Sequence, residues 1–362
     1  MIKESYHIII GTKAQLVKMA PVMLALDKYQ VNYQFVLTGQ HQETMSDLIS
    51  SFSLKKPDTV LYTKHESDSP VKLLKWFFSS SISAWRLRED FKESRGFVVH
   101  GDTLSTLWGA LFSHLFAVKC IHVEAGLRSF NYLNPFPEEL IRVVVTKLSK
   151  ILFAGGLWAK NNINESNDKS IIDTNFNTIL DSLKFAIEVN TQALRSLDSD
   201  KEAFIVVSIH RTENILSNKN FNKIMSLIVS SSKKTKIKMV LHPITRKRLK
   251  DTHWFDRLER CGIELIPRMN YVNFMQLLYR SSGLITDGGS NQEEASFLGL
   301  PCLLMRKHTE RTDGLDSNII LSKLDSHVIE NFLSQTINTP WQKKDFPDFS
   351  PSEIIAKTLR AL

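Results

Sequence analysis

The sequence predicts an α/β protein of two doubly wound, parallel-sheet domains facing one central cleft, and three observations carry that prediction. At 362 residues the chain exceeds what one compact core holds, so two domains are expected. Short apolar runs rich in β-branched residues alternate with helical patterns through both halves. Several of these runs end abruptly in glycine or acidic residues, as strands do when their carboxyl ends build a ligand crevice. The expected layout is an N-terminal domain over 1–170, a C-terminal domain over 171–345, and a final helix within 346–362 packing back on the domains.

Composition narrows the function. Hydrophobic residues make up 43% and charged residues 23%, ordinary for a soluble globular chain. No apolar run reaches the roughly 18 residues of a membrane span, and the first apolar stretch is too short for a signal peptide. Cys120, Cys261 and Cys302 are scattered without CxxC spacing, which reads as thiols of a reducing compartment and a cytoplasmic protein. The net charge of +8 favours anionic partners. Nucleic acid ranks last among them, because no zinc finger, RNA-binding strand signature or basic heptad region is present. No His/Cys cluster has metal-ligand spacing and no Ser-His-Asp order is recognisable, so the expected chemistry is acid–base work without metal or cofactor.

Taken in order, residues 6–10 read as a strand ending in Gly11-Thr12-Lys13. Leu16, Met19, Ala20, Met23 and Leu24 then mark one face of a helix. A glycine between strand and helix is phosphate-loop geometry, but neither GxGxxG nor a Walker loop is present, and a plain turn reads equally well. Residues 34–37 read as a strand ending in Thr38-Gly39-Gln40-His41. Over 55–95 the character changes: PVKLLKWFF from Pro70, and Trp85-Arg86-Leu87-Arg88, are apolar, aromatic and basic together. The stretch 70–88 reads as helices packed on the sheet with snorkelling lysines, or as a surface helix in peripheral contact with a membrane or lipid-linked acceptor. Strands over 97–99 and 118–123 end in His100-Gly101-Asp102-Thr103 and Glu124-Ala125-Gly126. A helix opened by Pro135-Phe136-Pro137 and a strand over 151–154 follow. The Asn-rich stretch 161–177 reads as the connector between domains. Strands over 203–209, 236–241, 263–266, 283–286 and 301–305, then an amphipathic helix over 352–362, complete two Rossmann-like arrays.

The candidate site residues sit at these strand exits. Asp287-Gly288-Gly289-Ser290 is the strongest phosphate candidate: Gly289 bares its N–H, Ser290 adds a hydroxyl, and a helix is expected from about Gln292. Asp287 and Ser290 equally suit helix caps. Glu294, read into the first turn of that helix, suits a ribose diol, whose two hydroxyls a carboxylate can accept. His210 and Arg211 leave a strand in the polar cluster HRTEN. With Lys13 they could gather cationic donors around a pyrophosphate and stabilise its leaving charge. Asp102, Glu124 and Glu138 are the chemistry candidates, since acids on sugars act as proton donors, bases or stabilisers of an oxocarbenium-like centre. Asp102 also reads as the cap of a helix near Leu104, and Glu138 as a first-turn acid after Pro137; Glu124 has no such capping role.

These residues also match a family. GTKAQLVKMAPV, TGQH, HGDTLST, HVEAGLRS, the PFPEE segment with Arg142, HRTEN, DGGSNQEE and MRKHTER resemble, in order from Gly11 to about Leu315, the motifs of the non-hydrolysing UDP-N-acetylglucosamine 2-epimerases. The resemblance implies a two-domain fold like that of the GT-B glycosyltransferases, a UDP-sugar substrate and a homodimer. It implies interconversion of UDP-N-acetylglucosamine and UDP-N-acetylmannosamine, feeding surface polysaccharide synthesis. In that family UDP is eliminated to give a 2-acetamidoglucal, then added back after the proton returns to the other face of C2. Asp102, Glu124 and Glu138 then match the acid–base set, His210 the histidine near the pyrophosphate, Arg142 a substrate-site cation, and Glu294 the nucleotide-contacting acid. Gln40 and His41 fall in a region linked in bacterial members to a second, activating substrate site. The departures surround the nucleotide: the usual GTRPE reads GTKAQ, the usual PEE-x-NR has Ile141 for Asn, the serine of DSGG has moved to Ser290, and the 70–88 stretch replaces a glutamine-bearing segment. A GT-B-type glycosyltransferase, moving a sugar from a nucleotide donor to a glycan or lipid-linked acceptor, is the alternative. A nucleotide-sugar sensor would leave three acids idle.

Overall fold

The computed structural model describes residues 5–40, 45–63, 70–133, 135–164, 168–189, 203–309, 311–315, 317–338 and 341–362. The chain divides into two compact units, Met1–Ser182 with Asp348–Leu362, and Leu183–Pro347.

The first unit is built on seven strands, β1 (Tyr6–Ile10), β2 (Tyr33–Leu37), β3 (Thr59–Val60), β4 (Gly96–His100), β5 (Cys120–Ala125), β6 (Ile151–Ala154) and β7 (Ser170–Asp173). They pair in the order β3-β2-β1-β4-β5-β6-β7, all parallel. Parallel strands are covered on both faces, which is why Ile8-Ile9-Ile10 and Phe97-Val98-Val99 are apolar without alternation and wholly buried. The order reverses between β1 and β4, so a crevice opens at the carboxyl ends of those two strands. β7 lies inside the Asn-rich stretch 161–177, which is therefore not a simple connector: it supplies the sheet's edge. An edge strand is half solvated and needs no apolar run, which hid it.

The helix Lys13–Lys28 follows β1, opened by a capping box between Thr12 and Gln15. Pro21 sits inside it and cannot donate to the carbonyl of Val17. The hydroxyl of Ser182 donates to that oxygen instead, at 2.6 Å, so the helix continues. The helix Pro351–Ala361 belongs to this unit. The hydroxyl of Tyr6 donates to the Leu359 carbonyl at 2.8 Å, and the Ser352 N–H to Asp181 at 2.8 Å.

The second unit repeats the plan with β8 (Phe204–Ser208), β9 (Lys236–Leu241), β10 (Glu264–Pro267), β11 (Gly283–Thr286), β12 (Cys302–Leu304) and β13 (Ile319–Leu321). Their parallel order, β10-β9-β8-β11-β12-β13, again reverses beside the first strand, between β8 and β11. Ile205 and Val207 point into one core cluster, Phe204 and Val206 into the other, as the two faces of one covered sheet require. Among the described residues no helix is long and apolar enough to cross a membrane.

Candidate active site

β5 does not run straight to its end. Its register against β6 slips between Val123 and Ala125, and Glu124 adopts φ +64, the left-handed region that side chains other than glycine rarely occupy. The bulge brings Glu124 to two partners. Lys18, on the buried side of the helix after β1, places Nζ 2.9 and 2.7 Å from the two carboxylate oxygens. His100 Nε2, at the end of β4, lies 2.9 Å from Oε2. All three side chains are almost wholly buried, so Lys18 is what makes a charged Glu124 tolerable there. Gly126 follows at φ +83. A Cβ there would stand 2.0 Å from the Ala159 carbonyl, so only glycine lets the strand end pack on the helix Leu157–Asn161.

Asp102 follows β4. It does not cap the helix Leu104–Leu115; Thr103 does, in a reciprocal pair with Thr106. Asp102 instead accepts from Arg142, Nε at 2.8 Å and Nη2 at 2.6 Å on the same oxygen. Arg142 also donates to Glu139, Nη1 to Oε2 at 3.2 Å. Glu139 is fully buried and binds the turn after β5: Arg128 Nε at 2.6 Å, the Ser129 N–H at 2.9 Å and the Phe130 N–H at 3.2 Å. Burial pushes the Glu139 carboxyl up, but these donors outweigh it and hold it below the usual range. Burial likewise works against Arg142, and Asp102 and Glu139 more than restore its charge. Glu138 opens the helix Glu138–Leu148 behind the cis Phe136–Pro137 bond. Its Oε2 is buried with no hydrogen-bond partner among the described residues.

The three acids named from the sequence thus lie at the ends of neighbouring strands and at one helix start. Two are held by a cation each. Lys13, half-buried, begins the helix after β1. Gln40 is buried and accepts from the Ser105 hydroxyl at 2.5 Å. His41 lies outside the described residues. The sequence reading missed Lys18, His100 and Glu139. A lysine flanked by Leu16, Met19 and Ala20 on an apolar face was the available signal for the first; Glu139 had none beyond its place next to Glu138.

In the second unit Asp287, wholly buried after β11, does not cap a helix either. It accepts the N–H groups of His210 and Arg211 at 2.9 and 3.0 Å and the Asn214 amide at 2.9 Å, joining the loops after β8 and β11. The helix starts at Gly289, three residues earlier than expected, with Gly288 as its cap. A Cβ on Gly289 would stand 3.0 Å from Arg311 Nε and 3.6 Å from Arg211 Nη2. Two guanidinium groups therefore gather at a helix pole that is already positive, and the nearly buried Glu293 already pairs with that of Arg311. Ser290 lies in the first turn. Glu294 lies in the second turn rather than the first, nearly buried, with Asn291 Nδ2 donating to it at 2.9 Å. His210 stands 3.4 Å from Asp287 and stacks on His242, ring centres 5.3 Å apart. Burial lowers its pKa, Asp287 opposes, and Arg211 and Arg268 lower it further.

Two doubly wound units of this strand order, one carrying ion-paired acids and the other a cationic helix pole, define a GT-B-like α/β protein. The chain belongs to the UDP-N-acetylglucosamine 2-epimerase family, whose model matches residues 24–359, and is an enzyme of that family. It is 33% identical to the UDP-N-acetylglucosamine 2-epimerase of Methanococcus maripaludis over 366 aligned positions, covering 96% of each chain. Among solved structures it is similar to the Neisseria meningitidis UDP-GlcNAc 2-epimerase bound to UDP-GlcNAc, with TM-score 0.83, 28% identity and coverage of 99% and 100%. The Methanocaldococcus jannaschii enzyme in complex with UDP-GlcNAc and UDP matches with TM-score 0.79 and 26% identity, covering 99% of both chains. A UDP-glucosyltransferase from Polygonum tinctorium, at 13% identity and TM-score 0.61 over 99% of this chain and 98% of its own, shares the fold alone.

Proposed function

We propose that this chain interconverts UDP-N-acetylglucosamine and UDP-N-acetylmannosamine, as a cytoplasmic homodimer that feeds surface polysaccharide synthesis. The C1–O bond to UDP breaks with its electron pair leaving on UDP, the C2 proton is taken by a base, and a 2-acetamidoglucal forms. A proton then returns to the opposite face of C2, and the UDP oxygen re-forms the bond to C1. The C2 proton is weakly acidic, so departure of UDP must run ahead of deprotonation. That demands cations around the pyrophosphate and carboxylates near the positive charge developing at C1.

The observation that carries this reading is the contrast among the acids. Glu124 and Asp102 are ion-paired with Lys18 and Arg142, whereas Glu138 keeps a buried oxygen without a partner among the described residues. Neighbouring acids in different environments can divide the work of base and acid. Glu124 and Asp102 suit accepting the proton and stabilising the oxocarbenium-like centre, and Glu138 suits returning a proton. In the second unit Arg211, Gly289 and Ser290 suit the pyrophosphate, with His210 beside it and Glu294 on the ribose. In the first, Lys13 and Arg142 are the cations assigned to the substrate. The relatives solved with UDP-GlcNAc support the substrate class.

The test is incubation with UDP-N-acetylglucosamine alone, followed by proton NMR. The expected result is UDP-N-acetylmannosamine with no acceptor present. Product that forms only when a glycan or lipid-linked acceptor is added would replace the epimerase with a glycosyltransferase.

A further inference from the structure

The Asn-rich stretch 161–177 supplies more than the edge strand β7. Between it and the helix Glu138–Leu148 lies a cavity of about 240 Å³. Pockets for drug-sized molecules begin at roughly 300 Å³, so a ligand here is small. None of Asp102, Glu124 and Glu138 lines it.

The lining is cationic. Arg128 comes from the turn after β5, Lys147 from the last turn of the helix, and Lys169 from the position before β7. Thr146, Asn162 and Asn164 add neutral polar groups, and no acidic side chain lines the cavity among the described residues. The cations keep donors to spare. Arg128 gives Nε to Glu139 at 2.6 Å and lies over the Phe130 ring, which leaves both Nη groups. Lys169 spends one of its three protons on the Thr146 carbonyl at 2.9 Å. Asp168, next to Lys169 in sequence, is paired with Lys150 at 2.6 Å. Lys147 and Lys169 form no ion pair among the described residues. They also repel each other. Burial lowers the pKa of Lys169, Asp168 opposes, and the like charges of Lys150 and Lys147 lower it further.

We propose that this pocket binds a small phosphomonoester, at a site separate from that of the nucleotide. A dianion answers both lysines at once, and the Nη groups of Arg128 offer phosphate oxygens a fork. A carboxylate, with a single charge, leaves one lysine uncompensated. The pocket also adjoins the acids of the first unit: Arg128 holds Glu139, Glu139 holds Arg142, and Arg142 holds Asp102.

The probe is pyridoxal 5′-phosphate, itself a phosphomonoester. Its aldehyde condenses with an unprotonated lysine amine and releases water; borohydride then delivers hydride to the imine carbon and fixes the label as a secondary amine. The full chain is labelled briefly at about pH 8, with and without saturating UDP, where a lysine of lowered pKa reacts ahead of ordinary ones. Peptide mass spectrometry is expected to find several-fold more label on Lys169 than on exposed lysines such as Lys233 and Lys247. Inorganic phosphate should prevent it, and acetate at equal ionic strength should not. Phosphate should also raise the urea midpoint of the wild type more than that of the double variant Lys147→Gln, Lys169→Gln, whose circular dichroism and UDP affinity are unchanged. Label spread evenly over the surface lysines, a Lys169 label that phosphate does not displace, or an equal phosphate effect on the double variant overturns the proposal. So does protection by UDP alone, for the pocket then belongs to the nucleotide site, and so does equal protection by acetate, for the ligand is then a carboxylate. No arm reads turnover, so the outcome is independent of which reaction the enzyme performs.

Discussion

Glu124 occupies a backbone conformation and a burial that both disfavour a carboxylate, and its contacts explain why it persists. Lys18 reaches both oxygens, so the pair should act as one unit. Lys18→Met strands a buried charge and should destabilise the fold by about 3–5 kcal/mol in urea unfolding, with much of the loss recovered when Glu124→Gln is added. A full, additive loss in the double variant would show that the two do not depend on each other. Glu124→Gln alone should lower turnover by roughly 10²–10⁴-fold while leaving UDP affinity nearly unchanged. Equal loss of UDP binding would make Glu124 a structural residue. The acid itself was legible in the sequence, because a strand exit followed by Ala-Gly gives a carboxylate nothing to cap. Its partner was not, since Lys18 and Glu124 meet across 106 positions and no periodicity links them. The capping readings of Asp102 and Asp287 failed for a local reason: Thr103 and Gly288, one residue on, hold the cap positions.

At the scale of elements, the loops after β8 and β11 are one structure because Asp287 accepts three N–H groups from the first of them. A carboxylate is acceptor-only, whereas an amide would turn a donor toward at least one of those groups. Asp287→Asn should therefore loosen His210 and Arg211 and weaken UDP binding about tenfold or more, measured by calorimetry, with the secondary structure kept. Unchanged affinity would mean that these loops do not hold the nucleotide. The central strands were legible because parallel strands covered on both faces must be apolar throughout. β3, β7 and β13, of two to four residues at or near sheet edges, carry no such demand and left no clear pattern. The start of the helix at Gly289 was misplaced because two glycines argue for a loop. Here Gly288 is where Asn291 and His210 close on the backbone, and Gly289 where Arg311 and Arg211 do.

At the scale of the molecule, the repeated strand order of the two units was legible as repeated alternation, and the helix Pro351–Ala361 returning to the first unit was not assignable from its pattern. One global property follows from two buried histidines. Burial lowers the pKa of His7 and of His122 to about 4, against the ordinary 6.5. Between those values the unfolded chain binds more protons than the folded one, so stability is full above pH 6.5 and falls as the pH drops toward 4. The slope is up to about 1.4 kcal/mol per pH unit for each histidine. Urea midpoints should accordingly fall from pH 7.5 to pH 5; a midpoint that rises on acidification would contradict the burial of these rings.

The central claim is that the acids at the ends of β4 and β5 and at the helix start of Glu138 exchange a proton at C2 of a UDP-amino sugar. The most direct measurement is incubation with UDP-N-acetylglucosamine in deuterated water, following the C2 proton by NMR for the wild type and for Glu124→Gln. Deuterium is expected at C2 in substrate and product without any acceptor, and none with the variant. Retention of the C2 proton by an active, UDP-binding wild type would contradict it.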